Sequence, residues 1–435
     1  MASTRAAYSE LHPHENRATA AVTLADRVAA VRRQTGRLAA PLSAEDCALQ
    51  SMPDASPVKW HLAHVTWFFE TFVLAEFAPG YTSFDPAFRV LFNSYYNGVG
   101  DRHPRPERGL LSRPDLRTVL AYRGHVEAAM ARLLSQPLPP AAAALIDLGL
   151  HHEQQHQELI LTDVKHLLSR NPARPVFHPR WPLARVKPQP LAWHDFDAGL
   201  VTAGHAGSGF AFDNETPAHR VFIAPFALAS RPVTHGEYAE FIADGGYQRP
   251  ELWLSLGWDT VIARGWQAPL YWERAGTAWR TFTLHGMVDI DAHTPVCHLS
   301  FFEADAFARW ADARLPTEFE WEWAASRQPI AGNFLETGAL HPLPLAGHPP
   351  TMGPAQMFGD VWEWTRSDYA PYPGYRPAAG AVGEYNGKFM CGQYVLRGGS
   401  CATPETHIRA TYRNFFPPDA RWQFSGVRLA RDQAA

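Results

Sequence analysis

Cysteine is scarce in this chain of 435 residues, and the few cysteines are widely scattered. Cys47, Cys297, Cys391 and Cys401 form no C-x-x-C pair, which argues against a disulfide scaffold and against a cysteine-ligated zinc site. Long apolar runs are also missing, since the stretch AAAALIDLGL is interrupted by Asp147 and is too short to span a membrane. The N-terminal segment contains no apolar core of a signal peptide, so the sequence predicts a soluble, cytoplasmic protein without a membrane partner.

A basic excess is absent as well. The chain has 39 Lys and Arg against 43 Asp and Glu, a net charge of −4 with His neutral. Nucleic-acid binding usually requires a positive excess, so no nucleic-acid partner is expected. Apolar residues make up 46% of the chain, enough to bury a large core, and the length predicts about two or three domains. Histidine, with 21 residues, and tryptophan, with 15, are the unusual features of the composition.

Helix-start signals divide residues 20–170 into four helices. These signals are Thr23, Ser56-Pro57, Ser112-Arg113-Pro114 and Pro139-Pro140. At Ser56-Pro57 we expect a capping hydroxyl followed by proline at the first helical position. Four amphipathic helices of this length predict a bundle. The segment FNSYYNGVGDRHPRPERGLL, between the second and third helices, contains too much Gly and Pro to be helical, and long loops of this kind are usually functional or disordered.

The chain changes character after residue 170. Residues 173–195 are rich in proline and lack a clear period, so they predict a linker packed on the surface. Beyond it, short apolar stretches alternate with turns, and helices are expected only at His235–Ala243, Phe302–Arg314 and Glu318–Ala325. The sequence therefore predicts a helical domain at 1–172, a linker, and a loop-rich α+β domain at 196–435.

A histidine pair on the fourth helix is the strongest chemical signal. His152 and His156 are four residues apart in HHEQQHQELI, so both rings project from one helical face, which is also the core face. His64 lies on the apolar face of the second helix and is directed at the same core. One such pair is expected by chance, but three buried imidazoles would each need a hydrogen-bond partner unless they share a metal. Three nitrogen ligands suit zinc or iron(II).

Other groups surround this predicted centre. His61 points elsewhere on its helix, as an outer-sphere or surface residue, and Asp163 could orient a ligand imidazole or form an ordinary buried salt bridge.

The long loop adds polar groups of two kinds. Tyr95 and Tyr96 offer phenols for proton donation, and Arg102, Arg105 and Arg108 could bind a substrate carboxylate. A tyrosine pair packed on the bundle and a solvated basic loop are the alternative.

Two sets of motifs carry a family resemblance. LAH at 62–64 and HEQQH at 152–156 resemble the DinB-type four-helix domain of the ergothioneine-biosynthesis sulfoxide synthases. PVCHLSFFEADAFARWADARLPTEFEWEWAA, MFGDVWEWT, LRGGS and RNFF…FSGVRLAR resemble, in order, the formylglycine-generating-enzyme-like domain, which has a C-type-lectin-like fold. The resemblance covers nearly the whole chain and implies a multidomain α and α+β protein.

The resemblance also implies a reaction. His64, His152 and His156 match the ligands of a mononuclear non-haem iron(II), and the expected substrates are cysteine, hercynine (Nα-trimethylhistidine) and O₂. The thiol of cysteine is joined to C2 of the hercynine imidazole as a sulfoxide. SYYNGVGDRHPRPERG is similar to the loop of the cysteine-using subtype, which makes Tyr95 and Tyr96 the catalytic phenols.

Substrate contacts follow from the same resemblance. Arg105 and Arg108 are implied to bind the cysteine carboxylate. Gln155 and Asn414 match positions that contact the histidine-derived substrate, and Phe415 or Phe416 faces its trimethylammonium group.

The chain departs from the formylglycine-generating enzymes at their copper-binding cysteine pair. Neither Cys391 nor Cys401 occupies the expected place, so both are predicted to be structural.

Four alternatives stay open from the sequence. They are γ-glutamylcysteine as the thiol donor, a 5-histidylcysteine sulfoxide synthase of the ovothiol pathway, a DinB-type zinc-dependent thiol transferase, and a non-catalytic lectin-like binding module. Ovothiol-pathway enzymes usually carry an added methyltransferase domain, for which no sequence remains after FSGVRLAR, and this favours the ergothioneine route.

Overall fold

Four helices form the N-terminal half of the computed structural model, which describes residues 22–433 apart from 180, 183–185, 188 and 348–352. They are α1 (Leu24–Ala39), α2 (Val58–Phe69), α3 (Leu116–Leu134) and α4 (Pro140–Ser169). Helix α4 packs against α1 and α2, and α3 packs against α2, so the predicted bundle is confirmed. A Cβ atom at Gly149 of α4 would lie 2.7 Å from Phe69 Cε1, so glycine is required for this close helix contact. The sequence predicts no signal peptide in the N-terminal segment, and that segment lies outside the described residues.

The structure confirms two of the four predicted helix starts. Thr23 caps α1 through a capping box with Asp26, and α4 begins with proline. The prediction for α2 was wrong by one residue, because Pro57 is the N-cap and Ser56 makes no capping bond. The prediction for α3 was also wrong: Asp115 is its N-cap, since its carboxylate accepts from the Thr118 backbone N–H.

Helix α2 continues into a π-helical turn, Glu70–Leu74, and a final α-turn, Ala75–Phe77. The extra residue in a π-turn rotates the following side chains around the helix axis. Within this turn Val73 and Leu74 are buried, whereas Phe72 is half-buried.

The second half contains short strands and short helices. The strands are β1 (Trp193–Phe196), β2 (Gly199–Ala203), β3 (His219–Ile223), β4 (Phe226–Ala229), β5 (Trp272–Ala275), β6 (Ala278–Thr283), β7 (Gly286–Asp289), β8 (Trp362–Asp368), β9 (Tyr394–Arg397), β10 (Asn414–Phe416), β11 (Ser425–Gly426) and β12 (Ala430–Asp432). The helices are α5 (His235–Ala243), α6 (Ser255–Arg264), α7 (Phe301–Trp310) and α8 (Glu318–Ala325), and single α-turns occupy Phe88–Leu91 and Glu384–Gly387. The 3₁₀ turns are Asp46–Ala48, Asn97–Val99, Arg105–Leu110, Asp213–Glu215, Gly246–Gln248, Pro250–Leu252, Leu335–Thr337, Ala381–Gly383 and Glu405–His407.

The strands form small sheets in the described part of the chain. Their orders are β10-β9-β8-β11, β1-β4-β12, β5-β6-β7 and β2-β3, and all pairs are antiparallel except β8 with β11. This arrangement is a strand-rich, loop-rich domain, as predicted.

Two of the expected C-terminal helices have the predicted bounds, and one does not. Helix α7 covers Phe301–Trp310 and stops short of Arg314, because Asp312 adopts a left-handed backbone with φ 51°. Helix α6 was not predicted. Strand β1 begins at Trp193, inside the segment predicted to be linker.

One apolar cluster continues across the boundary between the two halves. Buried residues of the bundle such as Phe68 and Ile160 share it with Tyr271, Cys401 and Phe424 of the second half. All four cysteines are free thiols, in agreement with the absence of a disulfide scaffold. In the described residues, no helix combines the length and apolar character that a membrane crossing requires.

Candidate active site

Three imidazoles from two helices meet in the bundle interior. His64 of α2 and His152 and His156 of α4 are buried, and one nitrogen of each lies within 4.8 Å of the others. His64 Nε2 is 3.1 Å from His152 Nε2. Two adjacent ligands of one metal at ordinary nitrogen–metal distances are separated by about 3 Å. The structure therefore brings together the three residues that the sequence predicted as ligands.

Hydrogen bonds orient two of these rings. The Nδ1 of His64 lies 2.6 Å from the Phe92 carbonyl oxygen and must donate to it, which leaves the Nε2 lone pair free. Asp163 Oδ2 is 3.0 Å from His61 Nε2, and His61 Nδ1 is 2.8 Å from His156 Nδ1. With the Asp163 carboxylate accepting from His61 Nε2–H, His61 Nδ1 is left to accept from His156 Nδ1–H, and the His156 Nε2 lone pair then points away from His61.

The donor set fits a divalent transition metal. Burial lowers the pKa of His64 and His156 well below the ordinary value and that of His152 to about 4, so the three rings are neutral at pH 7. Neutral imidazoles are the form that binds metal. His152 Nδ1 is buried without a hydrogen-bond partner in the described part of the chain.

A cavity of about 300 Å³ opens beside the histidine cluster and lies between the two halves of the chain. His64 and His156 line it, whereas His152 lines a second cavity of about 470 Å³. Of the other predicted site residues, the first cavity is lined by Tyr95, Arg105, Arg108, Gln155, Asn414, Phe415 and Phe416.

Two guanidinium groups that line the cavity have N–H donors without a partner among the described residues. Arg108 is 3% exposed, stacks on the Trp60 ring at 3.3 Å and donates from Nη1 to Ser56 Oγ at 2.9 Å. Its Nε and Nη2, and the Nε of Arg105, are buried without a partner among the described residues. Burial lowers the pKa of Arg108 to about 9. A buried guanidinium with free N–H groups and no carboxylate is a binding site for an anion.

The two neighbouring tyrosines lie in different surroundings. Tyr95 lines the cavity, and its hydroxyl accepts from Arg105 Nη1 at 3.0 Å. Tyr96 lines the second cavity and packs against Trp67 and Phe72, with ring centroids 5.6 and 5.2 Å apart. Burial raises the pKa of Tyr96 above its ordinary range. The structure thus places one phenol, and not the other, in the cavity with the arginines.

The second half of the chain supplies the remaining walls. Gln155 Nε2 donates to the Tyr412 hydroxyl at 2.8 Å, and the Asn414 side chain accepts from the Phe415 backbone N–H. Phe415 stacks on Tyr369 with centroids 4.0 Å apart, and Phe416 contacts Trp422 edge-on at 5.8 Å.

Several cavity residues were not predicted from the sequence. Tyr385, Phe389 and Trp422 add aromatic surface to the same wall. They lie in segments without a periodic pattern, so the density of aromatic residues was the only available signal. The sequence places His61 and Asp163 near the predicted ligands, but the hydrogen bond that joins them across two helices has no sequence signature.

Comparison with known proteins agrees with this two-part architecture. The family model of the DinB superfamily matches residues 27–160. The family model of the sulfatase-modifying factor enzyme 1-like domain matches residues 187–342 and 344–433. The hercynine oxygenase of Mycobacterium tuberculosis is 35% identical, with 94% of this chain and 98% of that protein aligned. This chain belongs to the hercynine oxygenase family.

Two further relatives extend the comparison. The hercynine oxygenase of Mycolicibacterium smegmatis is 34% identical, over 94% of this chain and 99% of that protein. Ergothioneine biosynthesis protein 1 of Schizosaccharomyces pombe is 28% identical over 51% of this chain and 28% of its own length. As a member of a family of oxygenases, the chain is an oxidoreductase.

Proposed function

We propose that this chain is an iron(II)-dependent sulfoxide synthase of ergothioneine biosynthesis, which joins the thiol of cysteine to C2 of the hercynine imidazole. The names of its relatives support hercynine as a substrate and ergothioneine as the product of the pathway. The observation that carries the proposal is that one cavity is lined by Arg105 and Arg108, by His64 and His156 of the histidine cluster, and by aromatic rings from the second half of the chain.

Each part of the cavity matches one part of the substrates. The free N–H groups of Arg105 and Arg108 suit a carboxylate. Phe415 and Phe416 line the cavity with aromatic rings, which suit a trimethylammonium group because aromatic rings attract such a cation. The side chain of Gln155, held by Tyr412, lies beside the histidine cluster and suits the polar edge of an imidazole.

The reaction balances with O₂ as the oxidant. The C2–H and S–H bonds break, a C2–S bond forms, one oxygen atom becomes the sulfoxide, and the other leaves as water with the two hydrogens. When bound to His64, His152 and His156, iron(II) supplies the redox chemistry that O₂ requires. The Tyr95 oxygen accepts from Arg105, so the Tyr95 O–H is free to donate into the cavity.

Free cysteine is the donor that we propose, because Tyr95, Arg105 and Arg108 line the same cavity and Arg105 donates to Tyr95, which groups them where a carboxylate could bind. γ-Glutamylcysteine, attachment at C5 and zinc-dependent thiol transfer are the competing outcomes of the test below.

Product analysis tests the proposal. Iron(II)-loaded protein is incubated under air with hercynine deuterated at C2 and with either cysteine or γ-glutamylcysteine, and the products are measured by mass spectrometry. We expect hercynylcysteine sulfoxide without deuterium, and a higher kcat/KM with cysteine. Retention of deuterium would indicate C5 attachment, and a preference for γ-glutamylcysteine would contradict the donor.

Metal dependence is tested in parallel. The His156→Ala variant and zinc-loaded wild-type protein are compared with iron(II)-loaded protein for bound metal and for O₂ uptake. We expect the variant to lose bound metal, and zinc-loaded protein to consume no O₂. Product formation by zinc-loaded protein would overturn the proposal in favour of thiol transfer.

A further inference from the structure

One carboxylate oxygen in the cavity wall has no hydrogen-bond partner. Asp163 is 5% exposed and lines the cavity. Its Oδ2 accepts from the Ser56 backbone N–H at 2.8 Å and from His61 Nε2 at 3.0 Å, but Oδ1 is buried without a partner in the described part of the chain. A buried carboxylate oxygen left unpaired is costly, so a donor is expected there when a ligand is bound.

The unpaired Asp163 oxygen lies near the unpaired guanidinium donors. Ser56 contacts both groups, since its hydroxyl accepts from Arg108 Nη1 while its backbone N–H donates to Asp163. Arg108 and Asp163 form no ion pair with each other among the described residues, although both line the same cavity. Stacking on Trp60 holds the Arg108 guanidinium in place, and His61 holds the carboxylate.

Arg108 and Asp163 thus present a fixed positive group and a fixed negative group to the cavity, and Ser56 contacts both of them. A ligand with a carboxylate and an ammonium group on the same carbon is complementary to that pattern. A thiol without the ammonium group would leave Asp163 Oδ1 desolvated and unpaired.

We propose that Asp163 Oδ1 accepts the α-ammonium group of the thiol donor while Arg105 and Arg108 bind its α-carboxylate, so that the site selects a free α-amino acid. The inference rests on the proposed function for the identity of the donor. It also gives a physical reason for rejecting γ-glutamylcysteine, whose cysteine nitrogen is an uncharged amide. Asp163 then has two functions, since its second oxygen orients His61 and, through it, His156.

A set of matched thiols tests the inference. The kcat/KM values for cysteine, 3-mercaptopropionate, which lacks the amino group, and γ-glutamylcysteine are measured with iron(II)-loaded wild-type protein and with Asp163→Asn. We expect the wild type to prefer cysteine to 3-mercaptopropionate by about 10- to 100-fold, the range for a charge-assisted hydrogen bond. Asp163→Asn should abolish most of that preference.

The ratio between thiols separates recognition from positioning. His61→Gln weakens the support of His156 but keeps a side-chain N–H donor for Asp163, whose carboxylate is also held by the Ser56 backbone N–H, so it should lower kcat/KM for both thiols and preserve their ratio. Equal losses for both thiols in Asp163→Asn would overturn the inference, because a purely structural Asp163 predicts that result. Equal kcat/KM for the two thiols in the wild type would overturn it as well.

A binding measurement distinguishes failure of this inference from failure of the proposed function. The thermal unfolding midpoint of metal-free protein is measured with cysteine or 3-mercaptopropionate under anaerobic conditions. Selective stabilisation by cysteine, lost in Asp163→Asn, supports the amino-acid site even if no sulfoxide forms. Sulfoxide formation without any selectivity in binding or kcat/KM would retain the proposed function and reject the site.

Discussion

Single residues in this site differ in their chemistry according to the groups that touch them, as Tyr95 and Tyr96 illustrate. The two residues are adjacent and chemically identical, yet Tyr95 contacts Arg105 in the first cavity while Tyr96 packs between aromatic rings of the bundle. A phenol next to a guanidinium and the proposed thiol site is placed for proton donation.

Replacing each tyrosine by phenylalanine tests this difference. We expect Tyr95→Phe to lower the ratio of sulfoxide to cysteine sulfinate at least about 10-fold, because a missing general acid usually costs more than that. Tyr96→Phe should change the ratio by less than about 2-fold. Both products are measured by mass spectrometry with cysteine and hercynine under air. An unchanged ratio in Tyr95→Phe would refute its role as the proton donor.

Ser56 shows why single side chains are difficult to assign from sequence. The pair Ser56-Pro57 predicts a helix cap, and a helix does begin nearby, but the serine contacts Arg108 and Asp163 instead. Those partners are about 50 and 100 positions away along the chain. Local pattern therefore identified the helix, and long-range packing determined what the hydroxyl binds.

Helices of the bundle are tied together by a buried ion network that lies next to the histidine cluster. Glu153 of α4 is fully buried and accepts from Arg32 of α1 at 3.0 Å and from Arg123 of α3 at 2.8 Å. Burial alone would raise the pKa of Glu153, but the two guanidinium groups outweigh it and lower the pKa to about 2. The ionised carboxylate thus links three helices.

We expect Glu153→Gln to destabilise the full chain by about 3 kcal/mol at pH 7, since removing one partner of a buried ion pair leaves the charge of the other buried and uncompensated. In the wild type this stabilisation is present above the unfolded-state pKa and is lost as pH falls towards 2. The difference between the two proteins should therefore shrink by about half or more at pH 3. Urea unfolding midpoints of both proteins at pH 7 and pH 3 measure this difference in stability.

Glu127 provides the matched control. It contacts the same two arginines, at 3.1 and 3.2 Å, but its side chain is 45% exposed. Solvent screens such a pair, so Glu127→Gln should cost less than about 1 kcal/mol and show little pH dependence. Equal losses of unfolding free energy in the two variants would show that burial does not determine how much each carboxylate stabilises the protein.

Secondary structure was predictable wherever local signals were complete. Helices α5 and α8 begin at Thr-x-x-Glu capping boxes and have the predicted bounds. Helix α6 has no side-chain cap and contains an interior glycine, Gly257, so it gave no start signal. The π-turn after Phe69 was equally unpredictable, because it changes the helical period within one continuous apolar run.

The whole molecule joins its two halves through polar contacts around α4. Glu158 Oε1 accepts from Trp362 Nε1 at 2.8 Å and from Ser400 Oγ at 2.5 Å, and its Oε2 accepts from Thr403 Oγ1 at 3.0 Å. Burial raises the pKa of Glu158. Since the active-site cavity has walls from both halves, this junction also sets the shape of the site.

Removing the Glu158 carboxylate should weaken the junction. We expect Glu158→Ala to lower the unfolding free energy of the full chain by about 2–4 kcal/mol, because it leaves three buried donors unpaired. It should also lower kcat/KM for both substrates together. Glu158→Gln retains a carbonyl acceptor and should cost less than half as much in denaturant unfolding. Equal destabilisation by the two variants would contradict a hydrogen-bonding role.

The sequence alone predicted the four-helix bundle and the three histidines that cluster inside it. Helical periodicity places His152 and His156 on one face of α4 and His64 on the apolar face of α2, and periodicity is a local property that a sequence displays directly. Only the tertiary structure decided which groups surround that cluster, including the unpaired Asp163 oxygen. Contacts between residues distant along the chain depend on how helices and loops pack, and that packing leaves no local pattern in the sequence.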